Sequence, residues 1–504
     1  MDAINQARQD SLTTYLSHPI ALVTAGVIVL LCICWRSTRN VAILKKINAP
    51  GPKPWPFFGN ALDARKFNGV HLLLCDYIQK YGKVLSFTLG TRPSVVIADP
   101  DMIKQILVKD FWNFPNRMVL VKVPGPIGKS VFLARDDAWK RIRTTLTPTF
   151  SAKKMKGMVA MIEESCDRLM AKIEQVADTG TSVDMLDWYG RLTLEVILHT
   201  AFGVQADIQN EKESKLLERT REVFHTPWIV NILRLFPFGI YLLRFLAFAR
   251  GRQGYFDKVA SDIIQQRRQS GITGRQDLLN LMLTAHEDTT EEGISKLTDE
   301  EIVGQCVIFL FAGYETSSNT LAYMTYYLAM NQHVQDKLRE EIKQAVKSNP
   351  DSTLYDLAHS IEYLDCVISE AQRLYPPLAQ LSRECAKDYD IGGIHIPAGM
   401  EVIIPVYFLH RDPDVWPDPE KFDPERFRSP AKDTRHQYQF MPFGLGPRSC
   451  IGMRFALMEI KITLVKFMLK YKFVQSPETQ VPLAILAGAT LTPRDGVHVR
   501  IQRV

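Results

Sequence analysis

Residues 441–459 read MPFGLGPRSCIGMRFALME, and this stretch decides the fold. Cys450 comes just before a helical pattern over residues 451 to about 471, whose free N–H groups and dipole favour a thiolate over a thiol. Gly446 and Gly452 let the backbone turn tightly and let the start of the helix lie close to a flat ligand. The stretch therefore predicts a cysteine that binds a metal in a flat macrocycle.

Two further side chains of this loop suit the same ligand. Phe443 can shield the cysteine sulfur from water, and Arg448 offers a fork of donors suited to a carboxylate. The chain has eight cysteines, and the others are scattered without CxxC pairs or disulfide-like spacings. They are therefore interpreted as buried thiols in a reducing compartment.

The composition is that of a large folded protein. The chain has 504 residues, of which 46% are hydrophobic and 23% charged, and these values argue against disorder. Its net charge of +6 is small for a protein that follows phosphate backbones. Nucleic acid is therefore not expected as a partner.

An uncharged apolar run at residues 19–35, PIALVTAGVIVLLCICW, is long enough to cross a membrane as a helix. Basic residues follow it at positions 36, 39, 45 and 46, which by the positive-inside rule places the rest of the chain in the cytosol. A cleaved signal peptide would carry its positive charge before the run, so a retained anchor is favoured. The expected segments are a short non-cytosolic N-terminus at 1–18, a transmembrane anchor at 19–35, a basic and proline-rich linker at 36–60, and one globular catalytic domain at 61–504.

The remainder is predicted to be mixed but mainly helical. A strand–turn–strand signal covers residues 84–98, helical patterns dominate up to about residue 375, and short β-like runs occupy 402–404 and 497–504. Since no repeat and no second change of composition appears, one large helical domain with small β-sheets is expected.

A long apolar helix is predicted from residue 298 to 331, with Thr298 and Glu301 spaced as a capping box at its start. Within it, Glu315 and Thr316 place an acid and an alcohol among apolar residues. Charged groups are rarely buried without a purpose, although an ordinary buried polar spot is the alternative.

These motifs resemble those of the cytochrome P-450 superfamily over essentially the whole chain after the anchor. Residues 441–459 are similar to its haem-binding loop, residues 370–373 (EAQR) to its ExxR motif, and residues 422–427 (FDPERF) to its PERF segment. The resemblance implies the P-450 fold, with a long central helix over the haem. It also implies a structural triad of Glu370, Arg373 and Arg426.

The resemblance assigns roles around a haem b cofactor. It makes Cys450 the axial ligand of the haem iron. It implies that the loop residues and a set of aromatic and basic side chains bind the haem, namely Phe443, Gly446, Arg448, Gly452, Trp139, Arg143, Arg117, Arg383 and Ala312. Trp139 and Arg143 are four apart on a probable helix and therefore face one side. For Arg117, an ordinary surface charge is the competing interpretation.

Residues 312–316 (AGYET) resemble the family's distal segment, which lies over the haem. By this resemblance Gly313 would loosen the helix to admit dioxygen, and Thr316 would hydrogen-bond the oxygen being activated. Glu315 would help to deliver protons through water. These three residues are the expected catalytic group.

The sequences of these motifs resemble those of the animal microsomal family-3 branch, which contains the 3A drug oxidases and thromboxane synthase. Thromboxane synthase departs from the acid–alcohol pattern that this chain keeps at Glu315 and Thr316. Residues 224–248, rich in aromatic side chains, resemble the membrane-facing roof of the pocket. Candidate pocket residues by family position are Phe132, Phe311 and Leu378, with Ala312 and Thr316, although core packing explains any one of them equally well.

The resemblance implies a haem-thiolate monooxygenase that inserts one atom of O2 into apolar small molecules of xenobiotic, steroid or fatty-acid type. Electrons would come from NADPH through NADPH–cytochrome P-450 reductase, with cytochrome b5 as a second candidate partner. The expected location is the endoplasmic reticulum membrane, with a single pass and a cytosolic catalytic domain. The alternatives are an endoperoxide or hydroperoxide isomerase that needs no reductase, and a non-catalytic haem-binding protein.

Overall fold

The computed structural model describes residues 23–24, 26–27, 35, 42–55, 58–90, 92–119, 123–224, 239, 252–270, 277–287 and 296–504. Most of the predicted anchor at 19–35 and most of the aromatic stretch at 224–248 lie outside these residues. Among the residues that are described, no helix is both long enough and apolar enough to cross a membrane.

Helices are the main secondary structure of the described residues, as predicted. The helices are α1 (Val70–Tyr81), α2 (Pro100–Lys104), α3 (Asp136–Leu146), α4 (Ala152–Val176), α5 (Met185–Phe202), α6 (Lys215–Phe224), α7 (Arg252–Gln269), α8 (Leu278–Glu287), α9 (Asp299–Met330), α10 (Gln332–Ser348), α11 (Leu354–Ser360), α12 (Glu362–Leu374), α13 (Val406–Leu409) and α14 (Met453–Met468).

The strands form small sheets at the periphery of the helices. They are β1 (Val84–Leu89), β2 (Arg92–Ile97), β3 (Val183–Asp184), β4 (Leu381–Glu384), β5 (Tyr389–Ile391), β6 (Ile394–Ile396), β7 (Glu401–Ile404), β8 (Tyr471–Gln475), β9 (Ile485–Ala487), β10 (Leu491–Pro493) and β11 (His498–Arg503). Their orders are β1-β2-β7-β4, β3-β11-β8, β10-β9 and β5-β6. The predicted hairpin is confirmed as β1 and β2, which pair antiparallel.

Helix α9 is the central helix that the sequence predicts, and most of its residues are buried. Its capping box is confirmed, because the Glu301 N–H donates to Thr298 Oγ1 at 3.3 Å and the Thr298 N–H donates to Glu301 Oε2 at 2.9 Å. The helix continues through Gly313, and the predicted loosening there stays a prediction. A Cβ at Gly313 would lie 3.0 Å from Ile197 Cδ1, so the glycine lets α5 pack closely against α9.

Two hydrophobic clusters form the core, one among the helices and one around the β1-β2-β7-β4 sheet. The loop that carries Cys450 joins them. Met441 and Leu445 at its start belong to the sheet cluster, whereas Ile451 and Phe455 at its end belong to the helical cluster. Apolar contacts on both sides therefore fix the position of the loop.

Candidate active site

The cysteine loop holds its sulfur at the start of a helix, as the sequence predicts. The Cys450 N–H donates to the Phe443 carbonyl at 2.9 Å, which closes the loop upon itself. Backbone N–H groups of Gly452 and Met453 donate to the Cys450 sulfur, and α14 begins at Met453. These amides belong to the first helical turn, where no backbone acceptor is available to them. The predicted helix from 451 to about 471 is shorter than expected at both ends.

Opposing effects act on the pKa of the Cys450 thiol. Burial among protein atoms raises it, and this effect is the largest. The Gly452 and Met453 amides and the positive charges of Arg143 and Arg117 lower it. The side chain nevertheless remains accessible to solvent. Burial dominates, so the pKa of the thiol is raised overall, and the two amides and two arginines are the groups that would stabilise an anionic sulfur bound to a metal.

The two glycines of the loop differ in what they require. Gly446 has a φ of +80°, and a Cβ there would lie 2.2 Å from the Leu107 carbonyl oxygen, so no other residue fits. At Gly452 a Cβ would meet only Phe150 Cε1, at an ordinary 3.9 Å. The protein itself therefore explains Gly446, whereas the predicted need for glycine at position 452 would arise from a ligand.

Arg448 is buried, and most of its hydrogen bonds within the described residues go to backbone carbonyls. It donates to the carbonyl oxygens of Pro115 at 2.8 Å and Ala134 at 2.9 Å, and its guanidinium carbon lies 4.1 Å above the centre of the Trp139 ring. Arg448 thus ties the cysteine loop to the segment before α3, and its predicted cofactor contact stays a prediction.

The predicted haem-binding arginines form no ion pair within the described part of the chain. They are Arg117, Arg143, Arg383 and Arg448. Burial, followed by the charge of Arg143, lowers the pKa of Arg117 to about 10. Burial and the charge of Arg117 lower the pKa of Arg383 to about 9. Burial lowers the pKa of Arg448 to about 8, with Arg117 and Arg383 contributing further.

The contacts of these arginines leave donor capacity unused. Arg117 donates to the carbonyls of Phe132 at 2.9 Å and Arg448 at 3.2 Å, and Arg143 donates to the Ser449 carbonyl at 3.0 Å. Arg383 donates to the Ser382 carbonyl at 2.8 Å, but its Nε is buried without a hydrogen bond partner among the described residues. An anionic ligand would stabilise this group of buried and half-buried cations, which repel one another.

The residues present therefore fit haem. Its two carboxylates match the arginine group, and its iron matches a thiol held by helix N-terminal amides. Phe150 connects this loop to the central helix, because its ring lies beside Gly452 and 5.9 Å from the ring of Phe309 on α9. Phe150 therefore lies between the start of α14, next to Cys450, and helix α9.

On α9, the predicted distal residues divide between two faces. Ala312 is exposed and Thr316 partly exposed, in a helix that is otherwise mostly buried. The Thr316 hydroxyl donates to the Ala312 carbonyl at 2.7 Å, which ties the alcohol to the helix backbone. The alcohol thus lies on the accessible face.

Glu315, by contrast, is 5% exposed and its Oε1 accepts a hydrogen bond from Thr492 Oγ1 on β10 at 2.9 Å. Burial raises the pKa of Glu315 to about 7, while hydrogen bonds from Thr492, Thr490 and Asn319 lower it. The carboxyl therefore changes its protonation state near neutral pH, although it does not lie on the accessible face of α9.

The predicted structural triad is brought together. Arg373 donates to both carboxylate oxygens of Glu370, from Nε at 2.7 Å and from Nη2 at 2.9 Å, and both side chains are fully buried. Arg426 Nε lies 3.5 Å from Glu370 Oε1. Arg373 also donates to the carbonyls of His410 at 2.9 Å and Pro419 at 2.7 Å, so it fastens the chain that leads to the cysteine loop.

The predicted pocket residues differ in accessibility. Phe132 is 40% exposed, with the Arg117 guanidinium 4.3 Å from its ring centre, and Leu378 is 36% exposed. Phe311 is only 8% exposed and packs edge-on against Phe256, with ring centres 4.7 Å apart. Phe132 and Leu378 therefore present surface to a ligand, whereas Phe311 is packed in the interior, and the predicted pocket stays a prediction.

His410 links the cysteine loop to Arg373, and no role was predicted for it. Its ring Nε2 accepts the N–H of Met441 at 2.9 Å, and its carbonyl accepts from Arg373. Burial lowers the pKa of His410 to about 3, so the ring stays a neutral acceptor. Residues 410–413 read HRDP, and nothing in the sequence indicates that the His410 ring accepts the N–H of Met441.

Comparison with known proteins agrees with this site. A family model described as Cytochrome P-450 matches residues 49–499. Cytochrome P-450 3A2 of Rattus norvegicus is 40% identical over 483 residues, with 94% of this chain and 95% of the relative covered. Cytochrome P-450 3A29 of Sus scrofa is 39% identical over 475 residues, with 92% and 93% covered. Thromboxane-A synthase of Sus scrofa is 35% identical over 528 residues, with 97% and 98% covered.

Proposed function

The chain belongs to the cytochrome P-450 family and is a P-450 monooxygenase, and from this premise we propose that it inserts one atom of O2 into apolar small molecules. The observation that carries the proposal is the geometry of Cys450. Its accessible sulfur accepts hydrogen bonds from two backbone amides at the N-terminus of α14 and lies near the charges of Arg117 and Arg143. This setting suits an anionic sulfur ligand to iron.

We assign haem b to this site, where the Cys450 thiolate would bind its iron. When bound, haem supplies the redox chemistry that activates O2. Arg117, Arg143 and Arg383 would bind its propionates, together with Trp139 and Arg448, because these arginines otherwise lack a counterion among the described residues. Their binding would orient the cofactor and offset the repulsion within the group.

On the distal side the protein's task is to hold and move protons. The Thr316 hydroxyl, on the accessible face of α9, would donate to oxygen in the pocket after leaving the Ala312 carbonyl. Glu315, with its pKa near 7, can both hold and release a proton at neutral pH. We propose that these two groups supply protons while the apolar pocket around Phe132 and Leu378 limits water.

The electrons are proposed to come from NADPH through NADPH–cytochrome P-450 reductase, with cytochrome b5 as an additional donor. We further propose a single-pass location in the endoplasmic reticulum membrane. The anchor would be at 19–35, the linker at 36–60, and the catalytic domain at 61–504 would face the cytosol. Apolar substrates would then enter from lipid beside the aromatic stretch at 224–248.

Reconstitution tests this proposal. The full chain is combined with reductase, NADPH and lipid and screened with steroids, fatty acids and apolar drugs for products containing one atom of labelled O2. We expect label in the product, and none with Cys450→Ala. Cys75→Ala is the matched control, since Cys75 lies on α1 and should be dispensable. Products without label from O2 would contradict the proposal.

A second function, peroxide isomerisation, is supported by the similarity to thromboxane-A synthase over 97% of this chain. An isomerase needs no reductase, because the substrate brings its own oxygen. Rapid rearrangement of an endoperoxide without NADPH would favour it. The buried acid beside Thr316 favours the monooxygenase, since only that reaction consumes protons along with electrons.

A further inference from the structure

Strand β10 supplies the surroundings of the Glu315 carboxylate. Thr492 Oγ1 donates to Glu315 Oε1 at 2.9 Å, and Asn319 Nδ2 donates to Thr492 Oγ1, also at 2.9 Å. Thr490 Oγ1 lies 3.2 Å from Thr492 Oγ1. All four side chains are buried. A polar group of this kind in the core is costly unless its hydrogen bonds are well arranged.

The orientation of the Asn319 amide is fixed by a second contact. Its Nδ2 also donates to the Leu491 carbonyl at 3.2 Å, and a carbonyl oxygen can only accept. The Asn319 nitrogen therefore faces β10, and it also donates to the Thr492 hydroxyl. Since that hydroxyl has a single proton, it is left free to point at Glu315.

The direction of this hydrogen bond matters for the acid. A donor facing a carboxylate favours the ionised form, whereas burial favours the neutral form. These effects oppose each other at Glu315, and the side chains that reduce the effect of burial are Thr492, Thr490 and Asn319. Among these three side chains, Thr492 makes the largest contribution against the effect of burial on the pKa of Glu315.

Other titratable groups near Glu315 do not replace this contact. Tyr314 and Tyr323, on the same helix, are the groups whose own pKa values are raised by the Glu315 charge. On the β10 side the nearest charged residue in sequence is Arg494, which is exposed and paired with Asp495. None of these is among the causes that act on Glu315 itself.

We propose that Thr492, oriented by Asn319, is a positioning residue that keeps the Glu315 carboxyl able to exchange its proton during turnover. The strand that carries Thr492 also borders the pocket, because the Leu491 N–H donates to the Pro377 carbonyl at 3.1 Å, next to Leu378. This inference rests on the proposed monooxygenase function, in which Glu315 supplies protons.

The decisive experiment is an infrared pH titration of the haem-loaded full chain, without reductase or substrate. The carbonyl band of protonated Glu315 is assigned by its loss in Glu315→Gln. In Thr492→Val the midpoint should rise by about one pH unit, a tenfold gain in proton affinity, because a hydrogen bond to the charged form is lost. Thr492→Ser should titrate as the wild type does.

Thr200→Val is the matched control, because the Thr200 hydroxyl is buried and donates to the Val196 carbonyl away from Glu315. Its midpoint should not move. Asn319→Leu provides a second variant if Thr492→Val does not fold, and it should also raise the midpoint. An unchanged midpoint in the folded variants would overturn the inference.

Turnover supplies a separate measurement. In reconstituted enzyme, part of the NADPH electrons is released as hydrogen peroxide, and this fraction depends on pH. In Thr492→Val the midpoint of that pH dependence should rise by the same interval as the infrared midpoint. In Thr492→Ser it should return to the wild-type value. An unshifted profile would overturn the role in turnover. If the wild type itself oxidised no substrate, the proposed function would fail, while the infrared titration would still report on the Thr492 contact.

Discussion

Replacing Glu370 with glutamine should destabilise the protein far more than an ordinary loss of an ion pair. In the structure Arg373 is fully buried and is held by both oxygens of Glu370 and by three backbone carbonyls. Glu370 Oε1 also accepts the N–H of Asp423 at 2.8 Å. Glutamine keeps the shape of the side chain but removes the negative charge that faces Arg373.

The magnitude follows from burial. Removing one partner of a buried pair leaves an uncompensated charge and costs about 3–5 kcal/mol. Burial already raises the pKa of Glu370, so part of the attraction is offset by desolvation in the wild type. We therefore expect a loss of about 3 kcal/mol in the free energy of unfolding at pH 7. The difference should shrink as acid protonates Glu370 in the wild type.

Urea unfolding of the haem-loaded protein, followed by circular dichroism at pH 7, measures this loss. Glu425→Gln is the matched control, since Glu425 pairs with Lys337 at 2.6 Å and both side chains are more than two-fifths exposed. An exposed pair contributes at most about 1 kcal/mol. A Glu370→Gln effect no larger than that of the control would refute the reasoning.

Three further changes test other parts of the structure. Gly446→Ala should abolish haem retention, because its Cβ would overlap the Leu107 carbonyl. Gly157→Ala is the control: it lies in an open part of α4 and should raise the free energy of unfolding in urea by up to about 1 kcal/mol. Arg383→Gln should speed haem transfer to an acceptor protein and raise the melting temperature of the haem-free chain, since it removes one of several repelling cations; an unchanged transfer rate would contradict this. Burial raises the pKa of Glu459 from 4.5 to about 8, so the folded protein holds a proton that the unfolded chain releases, and stability falls as the pH rises between those values. Glu459→Gln should therefore be more stable than the wild type at pH 9, by on the order of 5 kcal/mol, and equal to it below pH 4.5 in thermal unfolding.

Local sequence signals predicted the elements that depend on neighbours in the chain. The hairpin of β1 and β2 follows from alternating apolar residues around the Gly90 turn, and the start of α9 follows from the Thr298–Glu301 spacing. The Glu370–Arg373 pair also lies within one helical turn. Each of these is decided within a few residues, so the sequence carries the information.

Contacts between distant segments were not predictable in the same way. The partner of Glu315 is Thr492, 177 residues away, and Arg448 reaches the carbonyl of Pro115, 333 residues away. The closeness of Gly313 to Ile197 on α5 was likewise not indicated by the motif of residues 312–316. Such pairings depend on how whole helices pack, which composition and spacing do not specify.

The carbon monoxide difference spectrum of the dithionite-reduced protein tests the central claim most directly, on the wild type, Cys450→Ala and Cys75→Ala. We predict the red-shifted Soret band of a thiolate-ligated haem in the wild type and in Cys75→Ala, and its absence in Cys450→Ala. A well-folded wild type whose band lies where neutral nitrogen ligands place it would contradict thiolate ligation and the function built upon it.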